Sequence, residues 1–170
     1  AVGRPVGSVV AHQGVVVGRS GDRREVATDP TAHAEVLAIR DAARNLGRVD
    51  LAGCALYTTM EPCPMCCGAI LVSGISTLVV GAAHAPEEGR ADAYTAERLL
   101  GASGWDTASR LVTGVLAAEC VAVRQRWGRV RKKRGSVWRK PGGVRKKPGS
   151  GRKKPGSVWM KPGSVRKEHG

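Results

Sequence analysis

Two short stretches of this chain carry residues that can do chemistry together. His33-Ala34-Glu35 places an imidazole and a carboxylate two residues apart, and further on Pro62-Cys63-Pro64-Met65-Cys66 places two thiols three residues apart. One imidazole and two thiolates form a zinc donor set. Structural zinc sites close with four protein ligands, whereas catalytic ones keep a position for water. His33, Cys63 and Cys66 supply three ligands, so one position stays open. Glu35 is surplus to the ligand set, and a carboxylate there can take a proton from the activated water and deliver it elsewhere. A lone C-x-x-C more often marks a redox pair or a structural zinc, but neither gives Glu35 a purpose.

These residues need elements that bring them together. Apolar residues at Val36, Ile39, Ala43 and Leu46 recur at helical spacing, so a helix is expected over Thr31–Leu46. Asp29-Pro30-Thr31 offers its start and Gly47 its stop. A second helix over Pro62–Val72 would turn Cys63 and Cys66 to one side of its first turn. Its positive N-terminal end would favour thiolates. Val6–Ala11 and Val15–Arg19 flank His12-Gln13-Gly14 as a hairpin. Strands are further expected at Cys54–Thr59, Thr77–Gly81 and Arg110–Val115, and helices at Ala91–Leu100 and Leu116–Trp127. Strands alternating with helices predict a three-layer α/β fold with a partly parallel sheet.

The chain has 170 residues, 42% of them hydrophobic, enough for one domain with a real core. No run of 18 apolar residues suggests a membrane span, and no signal peptide is visible near the start. Five cysteines, two of them in the metal pattern, argue against a disulfide framework and for a cytoplasmic setting. Cys54, Cys67 and Cys120 read as small core residues. The net charge of +14 conceals two regions. Residues 1–123 hold 10 Arg and no Lys against 13 Asp and Glu, a balance of −3, while residues 124–170 hold 18 Lys and Arg against one Glu, a balance of +17. From Gly128 a glycine recurs every seven residues to Gly170, in units such as GSVWRKP and GGVRKKP. These units lack the two apolar seam positions of a coiled coil, and Gly and Pro oppose a helix. The division expected is a zinc-dependent domain over 1–127 and a basic, disordered tail over 128–170.

The stretch Asp29-Pro-Thr-Ala-His33-Ala-Glu35-Val, with Leu56-Tyr-Thr-Thr-Met-Glu61-Pro-Cys63-Pro-Met-Cys66-Cys-Gly-Ala-Ile70, closely resembles the cytidine deaminase superfamily. Within it, the chain is most similar to the branch of guanine deaminases, fungal-type cytosine deaminases and tRNA adenosine deaminases, over roughly Pro5 to Trp127. The resemblance implies a three-layer α/β/α fold with a five-stranded mixed sheet, one zinc per subunit held by His33, Cys63 and Cys66, and a homodimer. It implies that Glu35 shuttles protons, and that Asp22, Ala34 and Pro62 contact substrate. His84, Tyr94 and Trp105 are candidates for lining the pocket, set against ordinary roles in surface or core. A deaminase fold that only binds its ligand is disfavoured because all four chemical residues are present. Three features depart from the family: its helix before the first hairpin is missing or truncated, Asp22 stands where a substrate-contacting Asn is usual, and the repeat tail replaces a short ending.

The expected reaction is zinc-dependent hydrolytic deamination of a small nucleobase or nucleoside, such as guanine or cytosine. The first alternative is a tRNA adenosine deaminase making inosine. Gly114-Val115-Leu116 with Glu119-Cys120 resembles the ending of those enzymes, although their Asn-His pair shortly before it is absent. The −3 body and an aromatic content of 4% favour a small substrate over RNA. The second alternative is nucleic-acid binding through 128–170, where Lys and Arg interleave with Trp138 and Trp159.

Overall fold

The computed structural model describes residues 4–84, 94–104 and 110–133, with side chains described as far as residue 129. Trp105, Trp138, Trp159 and the tail beyond residue 133 lie outside the described residues.

Strands β1 (Gly7–His12) and β2 (Val15–Gly21) form the expected hairpin. Its turn is Gln13-Gly14, both at positive φ (50° and 79°), which suits the right-handed twist of the strands it joins. Helix α1 (Arg24–Ala27) is a single turn that periodicity could not reveal, closed by Thr28 at φ 51°. Then follow α2 (Ala34–Leu46), β3 (Cys54–Met60), α3 (Pro64–Val72), β4 (Thr77–Ala82), α4 (Ala96–Ala102), β5 (Arg110–Val112) and α5 (Ala117–Lys133). The sheet has five strands in the order β2-β1-β3-β4-β5. β1 runs antiparallel to β2 and β3, whereas β3, β4 and β5 are parallel, so the sheet is mixed.

Side chains alternate across the strands. Val10, Leu56, Leu78 and Val80 face one way and bury against Ala38, Ile39 and Ala42 of α2 and Cys67 and Ile70 of α3. α5 packs on β3 and β4 from the other face, where Gly81 meets Cys120. These are the three layers expected. Cys54 and Cys67 are core residues as anticipated, but Cys120 lies only partly buried and outside that core.

Several boundaries differ from expectation. α2 starts at Ala34 rather than Thr31 because the Asp29 carboxylate accepts from Thr31 N–H (2.7 Å) and Oγ1 (2.6 Å), closing a local turn instead of capping a helix. α3 starts at Pro64, with proline inside the first turn where its missing N–H costs nothing. α4 starts at Ala96, because Thr95 Oγ1 caps Arg98 N–H at 3.1 Å; residues 91–93 lie outside the described residues. β5 ends at Val112, before a turn with Gly114 at φ 80° and Leu116 at φ 52°. α5 runs through Gly128 to Lys133, past the break expected at 127. The repeat unit that begins at Gly128 has no proline, and one glycine costs a helix only about 1 kcal/mol.

Candidate active site

The site lies at the C-terminal ends of the parallel strands β3 and β4, the usual ligand position in α/β sheets. Two helices begin there. His33 is the N-cap of α2 and Cys63 the N-cap of α3, both in extended backbone conformation, while Cys66 sits one turn into α3. The two positive helix ends thus converge on the ligand cluster, a favourable place for thiolates.

His33 Nδ1 lies 3.6 Å from Cys63 Sγ and 3.5 Å from Cys66 Sγ, and the two sulfurs are 3.5 Å apart. Tetrahedral bonds of about 2.3 Å to sulfur and about 2.0 Å to nitrogen set ligand atoms about 3.5–3.8 Å apart. The triangle therefore fits one zinc ion, and these three residues are positioned to hold it. Nδ1 is the imidazole atom turned to the sulfurs.

The hydrogen bond from Cys66 holds the Cys63 thiol at about 3, helped by His33, and the same bond drives the Cys66 thiol upward. The metal-free pair is thus one thiolate sharing one proton, and zinc must displace that proton to bind both sulfurs. Burial pushes neighbouring Cys67 up to about 12, leaving it an inert thiol.

Glu35 lies in the first turn of α2, only 3% exposed. Oε1 accepts from Thr58 Oγ1 at 3.1 Å, and Oε2 lies 3.5 Å from Cys66 Sγ. Burial raises its carboxyl above the ordinary value, only partly offset by backbone and Thr58 hydrogen bonds. A group so placed keeps a proton to higher pH than an ordinary carboxyl.

A cleft at the cluster is lined by Asp22, Arg24, His33, Glu35, Cys63 and His84, among others. Asp22 is 7% exposed and tied to Arg24, whose Nε and Nη2 donate to Oδ2 at 2.9 and 2.6 Å. Residues missed in the sequence include Arg24, whose only signal was its place two residues after Asp22, and Glu61, which adjoins Pro62. Glu61 Oε1 accepts from Ala96 N–H (2.9 Å) and Oε2 from His84 N–H (3.3 Å). It thus pins both ends of the segment between β4 and α4 to the site. His84 Nε2 is 2.9 Å from Tyr94 Oη, so His84 reaches the cleft and Tyr94 stands behind it. Ala34 and Pro62 are buried beside the ligands and do not line the cleft.

A larger groove of about 560 Å³, walled by Val9, Tyr57, Val79, Val115 and Leu116, opens on the α5 face of the sheet. It contains none of the metal-ligating residues, so chemistry rather than size identifies the site.

Residues 2–82 match the cytidine and deoxycytidylate deaminase zinc-binding region. The chain is 38% identical over 116 residues to the tRNA-specific adenosine deaminase of Bacillus subtilis, covering 68% of this chain and 70% of that one. It is 41% identical over 95 residues to the guanine deaminase of the same organism, covering 55% of this chain and 61% of that one. Among solved structures, one from a study of A-to-I editing by tRNA:A34 deaminases superposes with a TM-score of 0.60 at 34% identity, covering 70% of this chain and 84% of that one.

Proposed function

The chain belongs to the family of zinc-dependent cytidine and deoxycytidylate deaminases, and from that premise we propose that it hydrolyses the amino group from a small nucleobase or nucleoside, such as guanine or cytosine, releasing ammonia. The observation that carries this reading is the ligand triangle of His33, Cys63 and Cys66 with the buried Glu35 carboxylate against it. Zinc bound there supplies a water nucleophile at neutral pH.

Glu35 takes the first proton lost by the attacking water and delivers it to the ring nitrogen. It then takes the second proton from the added hydroxyl and delivers it to the amine, which leaves as ammonia while the carbonyl forms. Its raised pKa suits a group that must both accept and give a proton. Asp22 presents a carboxylate to the cleft, so it accepts hydrogen bonds from N–H groups of the base where an amide could also donate. Arg24 keeps that carboxylate oriented. Ala34 and Pro62 act through the backbone that positions His33 and Cys63, and His84 closes one side of the cleft.

The −3 balance of residues 1–123, the scarcity of aromatic side chains and the guanine deaminase likeness favour a small substrate. A tRNA substrate is the second reading. It is favoured by the long match to the B. subtilis tRNA enzyme and by Arg124, Arg126 and Arg129 along α5. Residues 128–170 would then add phosphate contacts that weaken steeply with salt. Exposed Met65 and Val72 on α3 offer apolar surface for the homodimer proposed with this reading. No helix among the described residues is long and apolar enough to cross a membrane.

The test is ammonia release from guanine, cytosine, adenine, their nucleosides and an adenosine-containing tRNA anticodon arm, with Glu35→Gln as control. Release from a free base or nucleoside, lost in the control, supports the small-substrate reading. Release from the RNA alone replaces it with the tRNA reading, and silence on every substrate refutes both.

A further inference from the structure

Behind Glu35 lies a line of buried hydroxyls that metal binding does not require. Ser8 of β1 and Thr58 of β3 are direct cross-strand partners on the face that packs against α2. Both are buried, at 3% and 4% exposure. Ser8 Oγ donates to Thr58 Oγ1 at 2.9 Å, and Thr58 Oγ1 donates to Glu35 Oε1 at 3.1 Å.

Proton counting gives this line a direction. Thr58 has one hydroxyl proton and two neighbours able only to accept it when Glu35 is ionised: Glu35 Oε1 and the Met60 carbonyl at 3.2 Å. Ser8 is the donor to Thr58, so the Thr58 proton points away from Ser8 and toward Glu35 or Met60. A hydroxyl that accepts one hydrogen bond becomes a better donor in the next. The consequence is an asymmetric carboxylate. Oε1 is tethered to the sheet, and Oε2 is left on the side of the metal ligands, 3.5 Å from Cys66 Sγ.

Resting on the deaminase reading, we propose that Thr58, backed by Ser8, is a positioning residue: it holds Glu35 by Oε1 so that Oε2 alone carries the proton between nucleophile and substrate. The proton enters and leaves through Oε2, and Thr58 keeps its own proton throughout. The hydroxyl pair therefore serves geometry, and no proton passes along it to solvent. The simpler account is a satisfied cross-strand pair with no part in turnover. The two accounts differ in what the loss of one hydroxyl does to kcat.

Thr58→Val keeps the shape and removes the hydroxyl, while Thr58→Ser keeps the hydroxyl and removes a methyl. The zinc-loaded full chain would be assayed for kcat and KM on whichever of guanine, cytosine, their nucleosides or the tRNA anticodon arm the wild type deaminates. Zinc content and melting temperature would be measured in parallel. Thr58→Val should lower kcat roughly tenfold or more, with KM and zinc content unchanged, because orientation of the base is lost while binding is not. Thr58→Ser should recover most of the rate. Ser8→Ala should lower it less, and should cost nothing further once Thr58 is Val. A kcat for Thr58→Val within about twofold of wild type would overturn the proposal, as would additive effects of the two substitutions. Crystal structures of zinc-loaded wild type and Thr58→Val decide the tether without any substrate. Rotation of the Glu35 carboxylate in the variant supports it and an unmoved carboxylate overturns it. An inactive wild type whose Glu35 still rotates would therefore refute the proposed reaction and leave the positioning role standing.

Discussion

Replacing Gly18 by alanine should disable the site from a distance. Gly18 lies in β2, at the point where the pairing with β1 changes register. There the strand approaches Ala38 and Ala42 on the helix whose first turn holds Glu35. A Cβ at position 18 would run into the Ala38 carbonyl and lie 2.5 Å from Ala42 N and 2.8 Å from Ala42 Cβ. Ordinary carbon contacts need about 3.5–4.0 Å, so the helix must retreat by about 1 Å. Two of the three obstructing atoms are helix backbone, which cannot swing aside as a side chain would. Overpacking of this kind costs about 1–3 kcal/mol, and rigid neighbours place this case near 3. For a body of this size that is a melting temperature lower by roughly 10 °C. The same retreat carries His33 and Glu35 with it, and a misplacement of about 1 Å can cost on the order of 100-fold in kcat. Thermal melts and ammonia-release kinetics on the zinc-loaded protein measure both effects. Gly68→Ala is the control: it lies within α3, its Cβ would meet nothing within 4 Å, and it should gain about 0.5–1 kcal/mol as a helix-interior glycine replaced. A Gly18→Ala protein melting within about 2 °C of wild type would refute the close-approach argument.

Three other expectations follow from the site and α5. Chelation should remove one zinc per chain and lower the melting temperature; the half-buried Cys63, held well below the ordinary thiol range by the hydrogen bond from Cys66, should then alkylate in mild acid where an ordinary thiol does not, while Cys67, near 12, stays unmodified by mass spectrometry. Glu35→Gln should keep its zinc and lose turnover. In the metal-free protein it should also melt higher than wild type at pH 7: burial raises the Glu35 carboxyl from its ordinary 4.5, so the folded state binds the proton more tightly than the unfolded one, and wild-type stability is full below about pH 4.5 and falls as pH rises through the folded value. The advantage of the variant should therefore vanish in acid, and an equal melting temperature at pH 7 would contradict it. Gly128→Ala should strengthen α5 by up to about 1 kcal/mol, visible as added helical circular dichroism; a loss of helicity would contradict the continuous helix to Lys133.

The candidate metal ligands were legible in the sequence because the residue types within each of the two motifs are set locally, although His33 meets the cysteines only across 30 and 33 residues. Cys63 and Cys66 share one helical turn, and Glu35 follows His33 closely enough that the helix start sets both. The alternation of strands and helices was legible for the same reason, since periodicity reports which face of each element is buried. Helix starts were less so: Asp29 had two ways to use its carboxylate, and the turn with Thr31 prevailed.

What surrounds Glu35 was decided by pairing across the sheet. Ser8 and Thr58 are 50 residues apart and meet only because β1 and β3 pair in one register; a slip of one residue would turn both hydroxyls to the opposite face. Thr58 reaches Glu35 across 23 residues, and Glu61 reaches Ala96 across 35. Gly18 reads in the sequence as an ordinary strand glycine, and only the helix lying against it shows why a side chain does not fit. The amino-acid sequence by itself marked which residues can hold a metal, because the ligand types and the short spacing within each motif are visible without the fold, whereas the meeting of His33 with the two cysteines, 30 and 33 residues away, needed it. Only the tertiary structure decided which groups meet the Glu35 carboxylate, because those contacts join residues whose spacing along the chain is arbitrary.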